Sequence, residues 1–160
     1  MRRLLVLAAA LTLLLAACGD DSGDDESFGD PSSTTEVVAG DDLPQQVVVF
    51  TPDETEIDAN GEPVTWTPGI EDVLSAEAAL AEHIAANPDL GVDALETYAR
   101  QYVGIGEGED VVSVNALCAV DDLDWEDQFV VVADGGSCFW QATVDLPTGE
   151  ILSFAVNGEA

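Results

Sequence analysis

The sequence predicts an α+β fold in which one main helix packs on an antiparallel sheet of four to five strands. Three observations predict it. Residues 67–86 carry apolar side chains at helical spacing, short apolar stretches follow from residue 98 onward with twofold alternation, and glycine-containing turns separate those stretches. Strands joined by tight turns pair antiparallel. We therefore expect a single α+β domain over residues 46–160, with the helix on the apolar face of the sheet.

The helix is expected to begin at Thr67-Pro68, an N-cap residue followed by proline at the first helical position. It should end near Ala86, because Asn87-Pro88 cannot continue a helix. At 100° per residue, one face collects the apolar side chains and has Glu77 at its middle. His83 falls on the opposite, solvent-facing side. The residues expected on the packed face are Ile70, Val73, Leu74, Leu80, Ala81 and Ile84.

Short apolar runs predict the strands. Two lie before the helix, at residues 47–50 and 64–66, with an Asn60-Gly61 turn between them. The later strands are expected at residues 98–104, 110–118, 128–133, 137–146 and 150–157. Alternation places apolar side chains on one face of each strand, among them Leu152, Phe154 and Val156.

The opposite sheet face is mostly polar but uncharged, and rows of such side chains suit recognition of a peptide or a sugar. A solvated face without a ligand is the alternative. The candidate binding face consists of Ser113, Asn115, Gln141, Thr143 and Ser153.

Residues 1–17 have the features of an export signal. Arg2 and Arg3 precede an apolar run over residues 4–17, which is shorter than the roughly 20 residues of a membrane-spanning helix. The run ends in Leu15-Ala16-Ala17-Cys18, which resembles the lipobox of bacterial lipoproteins. The resemblance implies cleavage before Cys18, a diacylglyceryl thioether on its sulfur and acylation, such as palmitate, of the new amino group. Two or more acyl chains hold a protein stably on a membrane. We expect a lipoprotein on the extracytoplasmic side of the cell membrane; a plain secreted protein is the alternative.

Residues 18–45 are expected to be a lipidated, disordered acidic linker. The stretch is rich in Asp and Glu, and most of its other residues are Gly, Ser, Thr or Pro, which is too little apolar surface to offset the entropy of ordering. Such a coil spans on the order of 30 Å. A calcium-binding tail is the alternative, although calcium affinity needs a preformed cage of oxygen ligands.

Two cysteines of the domain, Cys118 and Cys138, fall on the same apolar face by alternation. In an exported protein such a pair forms a disulfide, and closing a loop of this size stabilises by about 3 kcal/mol in the chain-entropy model. The alternative is two buried thiols. The bridge requires the strand at residues 137–146 to pair directly with the strand at 110–118, leaving 128–133 outside.

The charge balance excludes two classes of partner. From Cys18 onward the chain has 33 acidic residues, one base (Arg100) and no lysine. Binding to nucleic acid and electrostatic docking on anionic lipid both need clustered Lys and Arg, so both are excluded. The acid excess resembles that of proteins from salt-adapted organisms. Because salt screens repulsion, we expect the melting temperature to rise with NaCl.

Arg100 lies on a predicted strand, and Glu77 lies on the packed helix face, where it needs a partner. We therefore expect a structural ion pair between Arg100 and Glu77. An anion-binding arginine is the alternative.

The sequence contains no recognisable catalytic constellation. It lacks a Gly-x-Ser-x-Gly elbow, a zinc His-Glu-x-x-His motif and a glycine-rich phosphate loop. Asp122, Asp124 and Glu126 have the spacing of the first EF-hand ligands, but Asp127 and Ala133 stand where that loop needs Gly and Glu. We expect no enzyme activity, no cofactor and no metal, while a loose divalent site and paired carboxylates of a hydrolase stay as alternatives.

The C-terminal part of the chain, from residue 98 onward, resembles a module of uncharacterised secreted and lipid-anchored bacterial proteins, and its layout is similar to cystatin-like folds. The resemblance implies no activity, and fold analogy does not supply one. We expect a non-catalytic binding or structural module with a protein or glycan partner. The alternatives are a divalent-cation-dependent ligand or glycan binder, which a thermal shift with calcium would reveal, and a carboxylate-based hydrolase. The matching stretches are Tyr98-x-Arg100-Gln101-Tyr102-Val103-Gly104, Val114-Asn115-Ala116-Leu117-Cys118, Asp134-Gly135-Gly136-Ser137-Cys138-Phe139-Trp140 and Asn157-Gly158-Glu159-Ala160.

Overall fold

One helix and a six-stranded mixed sheet make up the part of the chain that the computed structural model describes, residues 43–158. The predicted α+β class is confirmed. Three single-turn 3-10 helices lie in the connections, at Pro88–Leu90, Leu95–Thr97 and Gly136–Cys138. The main elements are β1 (Val47–Val49), β2 (Val64–Trp66), α1 (Ile70–Ala86), β3 (Ala99–Ile105), β4 (Val111–Leu117), β5 (Phe139–Asp145) and β6 (Glu150–Val156).

The sheet has the order β1-β3-β4-β5-β6, and β2 pairs with the far end of β3. Strands β3 to β6 are antiparallel, and β4 pairs directly with β5, as a bridge between the two cysteines requires. The fully antiparallel expectation is wrong for β1, which runs parallel to β3 because the long connection through α1 returns the chain to the end where β1 began. The prediction of a strand at residues 128–133 is also wrong, since these residues form no strand.

Helix α1 ends at Ala86, just before Asn87-Pro88, as predicted. It begins two residues later than expected. Gly69 is the N-cap, and its N–H donates to the Asp72 carboxylate at 2.8 Å. An acid near this end also suits the helix dipole.

The packed face of α1 is shifted around the helix from the predicted one. Val73, Ala76 and Leu80 are buried, whereas Leu74 is 41% exposed and Ala81 is exposed. The prediction placed Leu74 and Ala81 in the interface because alanine and leucine occupy more than half of the helix circumference, so periodicity alone does not single out one stripe.

The main core lies between α1 and the sheet. Its central contact is an aromatic group in which Trp140 stacks on Phe154, with ring centroids 4.8 Å apart, and meets the edge of Tyr98 at 5.5 Å. A β-bulge in β6 changes which side chains reach this core. Val144 pairs with Ile151, while Thr143 pairs with Ser153, so Leu152 turns outward and is 51% exposed. The predicted inward position of Leu152 is therefore wrong, because alternation assumes an unbroken strand.

The other sheet face is covered by irregular chain. A second, smaller core consists of Phe50, Val64, Val103 and Ile105. Phe129, from the connection between β4 and β5, packs its ring edge-on against Phe50, with ring centroids 5.7 Å apart. Residues 119–132 lie over the rest of this face, held by hydrogen bonds from side chains of the sheet. Of the helices in residues 43–158, none has the length and apolar character to span a membrane.

Candidate functional site

Arg100 is buried at the junction of α1, β3 and the segment that leads into β1. Its Nε donates to Glu77 Oε1 at 2.7 Å, so the predicted pair is present in the structure. Nη1 donates to the carbonyl oxygens of Leu95 and Tyr98, and Nη2 donates to that of Gln45 at 3.1 Å. The guanidinium thus makes four hydrogen bonds inside the protein, and each of its three nitrogens donates at least one of them. An arginine that is 2% exposed and bound in this way is structural, which overturns the anion-binding alternative.

Tyr102 completes this cluster. Its hydroxyl donates to the same Glu77 oxygen that accepts from Arg100. Burial raises the pKa of Tyr102 well above its ordinary range, and the negative charge of Glu77 raises it further, against a smaller opposing effect of Arg100. The phenol therefore stays protonated and acts as a donor. Two donors on one oxygen offset the cost of placing the carboxylate at a helix–sheet interface.

The sheet face that the sequence predicts as a binding surface is closed. Ser113 and Asn115 are each 1% exposed and Gln141 is 9% exposed, so the expectation of an open row is wrong for these three residues. Thr143 is half-buried, and Ser153 is exposed and donates its hydroxyl to Thr143 Oγ1 at 3.0 Å. Alternation identified the polar face but carried no information about the chain that covers it.

Side-chain amides hold the covering segment, residues 119–132. Gln101 Nε2 donates to the carbonyl oxygens of Trp125 and Gln128, both at 2.7 Å, and Gln101 Oε1 accepts from the Val130 N–H at 2.9 Å. Asn115 Nδ2 donates to Gln101 Oε1 at 3.0 Å and to the Val130 carbonyl at 2.6 Å. These bonds satisfy backbone groups of an irregular segment in place of a strand ladder, as buried polar groups require.

The covering continues at both ends of the face. Asn157 Nδ2 donates to the Val132 carbonyl, and Asn157 Oδ1 accepts from Gln141 Nε2 at 3.1 Å. On the other side, Ser113 Oγ donates to the carboxylate of Asp58 at 2.7 Å.

Asp58 is a buried carboxylate that was not predicted from the sequence. It is 2% exposed, and its oxygens also accept from the N–H groups of Asn60 and Glu62, each at 2.8 Å. The sequence Asp-x-Asn-Gly at residues 58–61 could have indicated this role. In an Asx-turn, the Asp side chain accepts a hydrogen bond from the backbone N–H two residues later, as Asp58 does from Asn60. All of these contacts are internal, so Asp58 has a structural role.

Cys118 and Cys138 form a disulfide with Cα atoms 4.9 Å apart. The bridge connects the end of β4 to the start of β5, and the Cys118 N–H also donates to the Cys138 carbonyl at 2.9 Å. Both half-cystines lie at the border of the sheet; Cys118 is exposed rather than part of the apolar face. The bridge closes the loop that contains the covering segment.

His83 contacts the sheet. Its ring stacks on Phe154, with centroids 5.4 Å apart and planes 30° apart, and the residue is half-buried. The prediction of a purely solvent-facing histidine is wrong because the packed face of α1 is shifted toward His83. A cleft of about 310 Å³ beside it is lined by Ala79, Glu82, His83, Ala86, Asn87, Gly149 and Ile151.

A second cleft, about 370 Å³ in volume, lies on the other flank of α1. We call it the α1 groove. One wall is the C-terminal half of α1, and the other is the segment of residues 88–96, which the turn at Pro88 directs alongside the helix. Most of the lining is apolar, and two of its residues are acidic. The lining is Ala81, Ile84, Ala85, Pro88, Val92, Asp93, Ala94, Leu95 and Glu96.

The α1 groove was not predicted from the sequence because Ala81 and Ile84 were assigned to the packed face. The one sequence feature that could have indicated the groove was the large number of alanines around the circumference of α1. Small side chains at 81, 85 and 94 leave the concavity open, and only the position of the 88–96 segment turns it into a groove.

Metal-binding side chains do not converge within residues 43–158: no three His, Cys, Asp or Glu residues there are arranged to hold an ion. Asp122, Asp124 and Glu126 are all exposed. Cys18, the leader and residues 18–42 of the acidic linker lie outside the described residues.

Comparisons with known proteins give no relative. A scan of protein-family models, a search of curated proteins and a search of solved structures each find no match to this chain.

Proposed function

We propose that the protein is a lipid-anchored, extracytoplasmic binding module that acts without catalysis. The observation that carries the proposal is the apolar run over residues 4–17 that ends in Leu15-Ala16-Ala17-Cys18. A diacylglyceryl group on Cys18 and an acyl group on the new amino terminus together provide enough buried methylene groups for stable anchoring. A disordered acidic linker would then hold the domain away from the membrane surface. It would end before Leu43 rather than at the expected residue 45, because Leu43 packs against the core and the Gln45 carbonyl accepts from Arg100.

The domain geometry is consistent with attachment through one edge. Arg100 donates to the Gln45 carbonyl, and the Arg100 N–H donates to the Gln46 carbonyl at 2.8 Å. The chain thus enters the domain at the β1 edge of the sheet. Strand β6 lies across four strand spacings, or about 19 Å, from that edge.

The roles of the buried polar groups support binding rather than catalysis. Glu77 is occupied by Arg100 and Tyr102, and Asp58 is occupied by backbone N–H groups and Ser113. The α1 groove, an open cleft among the described residues, combines apolar and acidic side chains, which suits recognition of a partner.

The anchor is tested by Cys18→Ser. We expect the unaltered protein in the membrane fraction, with an intact mass that shows acyl chains on Cys18 and no residues before it. The Cys18→Ser chain should appear as precursor or in the soluble fraction. Ser22→Ala, close by in the linker, is the matched control and should fractionate like the unaltered protein. If Cys18→Ser fractionates identically as well, or if the mass shows a bare sulfur, the proposed anchoring is wrong.

A further inference from the structure

We infer that the α1 groove is a docking site for a cationic amphipathic helix of another protein. The inference rests on the proposed binding function and names the surface and the partner class. It depends on the shape and lining of the groove, the charge around it and the scarcity of bases in this chain.

The shape favours a helix. Ala81 and Ala85 present only methyl groups along one wall, which lets a second helix approach α1 at the roughly 8 to 10 Å typical of packed helices. Exposed Ala78 and Leu74 continue the apolar surface toward the N-terminus of α1. The distance from Leu74 to Ala85 is about 16 Å along the axis, or three turns. Neither wall is a strand edge, so an extended peptide has no ladder of backbone groups to join here.

The charges around the groove are all of one sign. Asp93 and Glu96 lie in the wall formed by residues 88–96. At 100° per residue, Glu71 and Glu82 lie on the flank of α1 that faces away from that wall, and both are exposed. An apolar strip with acidic residues on both sides is complementary to an apolar ridge with Lys or Arg on both sides.

This chain does not supply such a ridge. Arg100 is its only Lys or Arg from Cys18 onward, and that side chain is buried and bound to Glu77. A second copy would place acidic surface against acidic surface, and residues 19–42 are themselves rich in Asp and Glu. The cations must therefore come from a different molecule.

The test uses two synthetic peptides of equal length, with the same numbers of Leu and Lys and a fluorescent label. One has helical periodicity over about five turns, and the other alternates Leu and Lys as a strand does. The protein is used as cells make it, in phosphatidylcholine nanodiscs where it is membrane-bound, with empty nanodiscs as a blank. Fluorescence anisotropy near physiological salt, about 0.15 M NaCl, gives the dissociation constants. We expect the helical peptide to bind at least tenfold more tightly than the alternating peptide.

Two variants locate the site. Ala85→Gln fills the groove without changing charge and keeps a good helix former on an exposed position; Asp93→Asn/Glu96→Gln removes the acidic rim. We expect each to weaken binding of the helical peptide at least fivefold. The matched controls make the same kinds of change outside the groove: Ala133→Gln, and Glu107→Gln/Glu109→Gln. We expect these to change binding less than twofold.

Several outcomes would overturn the inference. Equal binding of both peptides, or equal weakening by site and control variants, would mean diffuse attraction to an acidic surface. Tighter binding of the alternating peptide would indicate strand addition, for which β6 offers the exposed edge. A dimer in sedimentation that Ala85→Gln dissociates would assign the groove to a second copy. None of these outcomes depends on Cys18, so failure here leaves the fractionation result for the anchor unaffected.

Discussion

The two faces of the sheet are covered in different ways. Helix α1 covers one face through an apolar interface that surrounds a single ion pair, Arg100 with Glu77. Irregular residues 119–132 cover much of the other face, and side-chain amides from the sheet, chiefly Gln101, bond to their backbone. A helix satisfies its own backbone and needs only an apolar stripe, whereas an irregular segment needs a hydrogen-bond partner for each buried N–H and C=O group. Polar residues on a sheet face can therefore indicate a covered face as well as an open one.

Removal of the Arg100 side chain should have the largest effect, because it breaks the only ion pair found among the described residues. We expect Arg100→Ala to lower the free energy of unfolding by about 3 to 5 kcal/mol, since it leaves Glu77 as an uncompensated carboxylate. Urea denaturation measures the change.

The double variant Arg100→Met/Glu77→Met tests the cause, because replacing both members of a buried pair by apolar side chains costs much less than removing one. Glu82→Ala, exposed on the same helix, is the control and should change stability by less than about 0.5 kcal/mol. A decrease in the free energy of unfolding of less than about 1 kcal/mol for Arg100→Ala would show that the ion pair does not stabilise the packing of α1 on the sheet.

Removal of the disulfide should come next and should act on the loop-covered side. Cys118 and Cys138 are 20 residues apart and enclose residues 119–132. In the chain-entropy model, Cys118→Ala/Cys138→Ala costs about 3 kcal/mol. Reduction of the unaltered protein should produce the same shift in melting temperature, and the alanine variant should not respond to reductant. A shift in the alanine variant would trace the effect to something other than this bridge.

Gln101→Met should release the covering segment while the helix-covered side stays folded. The variant keeps side-chain volume but removes four hydrogen bonds, for an expected cost of about 2 to 3 kcal/mol. Hydrogen exchange should show lower protection in residues 119–132, with little change in α1. Gln128→Met is the control, since the Gln128 side chain is exposed and bonds to Asp124 rather than to the sheet. Uniform loss of protection across the domain would mean that the two sides unfold as one unit.

The same contrast separates what the sequence predicted from what it did not. The end of α1 followed from Asn87-Pro88, the pairing of β4 with β5 followed from two cysteines, and the ion pair followed from the only base of the domain. Each of these depends on local chemistry or on a scarce residue type. The covering segment does not: Phe129 and its neighbours have the composition of a strand, but their partners are side-chain amides on distant strands. Nothing local distinguishes the two arrangements.

The candidate site was missed for a related reason. A groove depends on two segments at once, and hydropathy reports each segment alone. Ala81 and Ala85 are compatible with either a packed or an exposed helix face, and the choice depends on how α1 is rotated on the sheet. The bulge that turns Leu152 outward depends likewise on pairing between strands.

Ionisation of Tyr102, on the helix-covered side of the sheet, should have a smaller effect on the free energy of unfolding, and only at alkaline pH. Because the pKa of Tyr102 is raised in the folded state, an unfolded tyrosine with a pKa of about 10 loses its proton first. Above that pH the folded state binds more protons, so stability decreases as pH rises, at most by about 1.4 kcal/mol per pH unit for one proton. Tyr102→Phe should remove this slope in urea midpoints measured from pH 8 to 11. An unchanged slope in Tyr102→Phe would assign the alkaline loss to other groups.

Added salt should have the smallest effect on stability, and it should stabilise residues 119–132 more than α1. Asp121, Asp122, Asp124, Glu126 and Asp127 are exposed within the covering segment and have no base near them in sequence. The Debye length falls from about 10 Å at 0.1 M NaCl to about 3 Å at 1 M, so repulsion among these carboxylates weakens. We expect the melting temperature to rise over this range, by the equivalent of about 1 kcal/mol or less. Sucrose at equal osmolality is the uncharged control. Hydrogen exchange should show a larger gain of protection in residues 119–132 than in α1, and a melting temperature that stays flat or falls would mean that repulsion does not limit the stability of this domain.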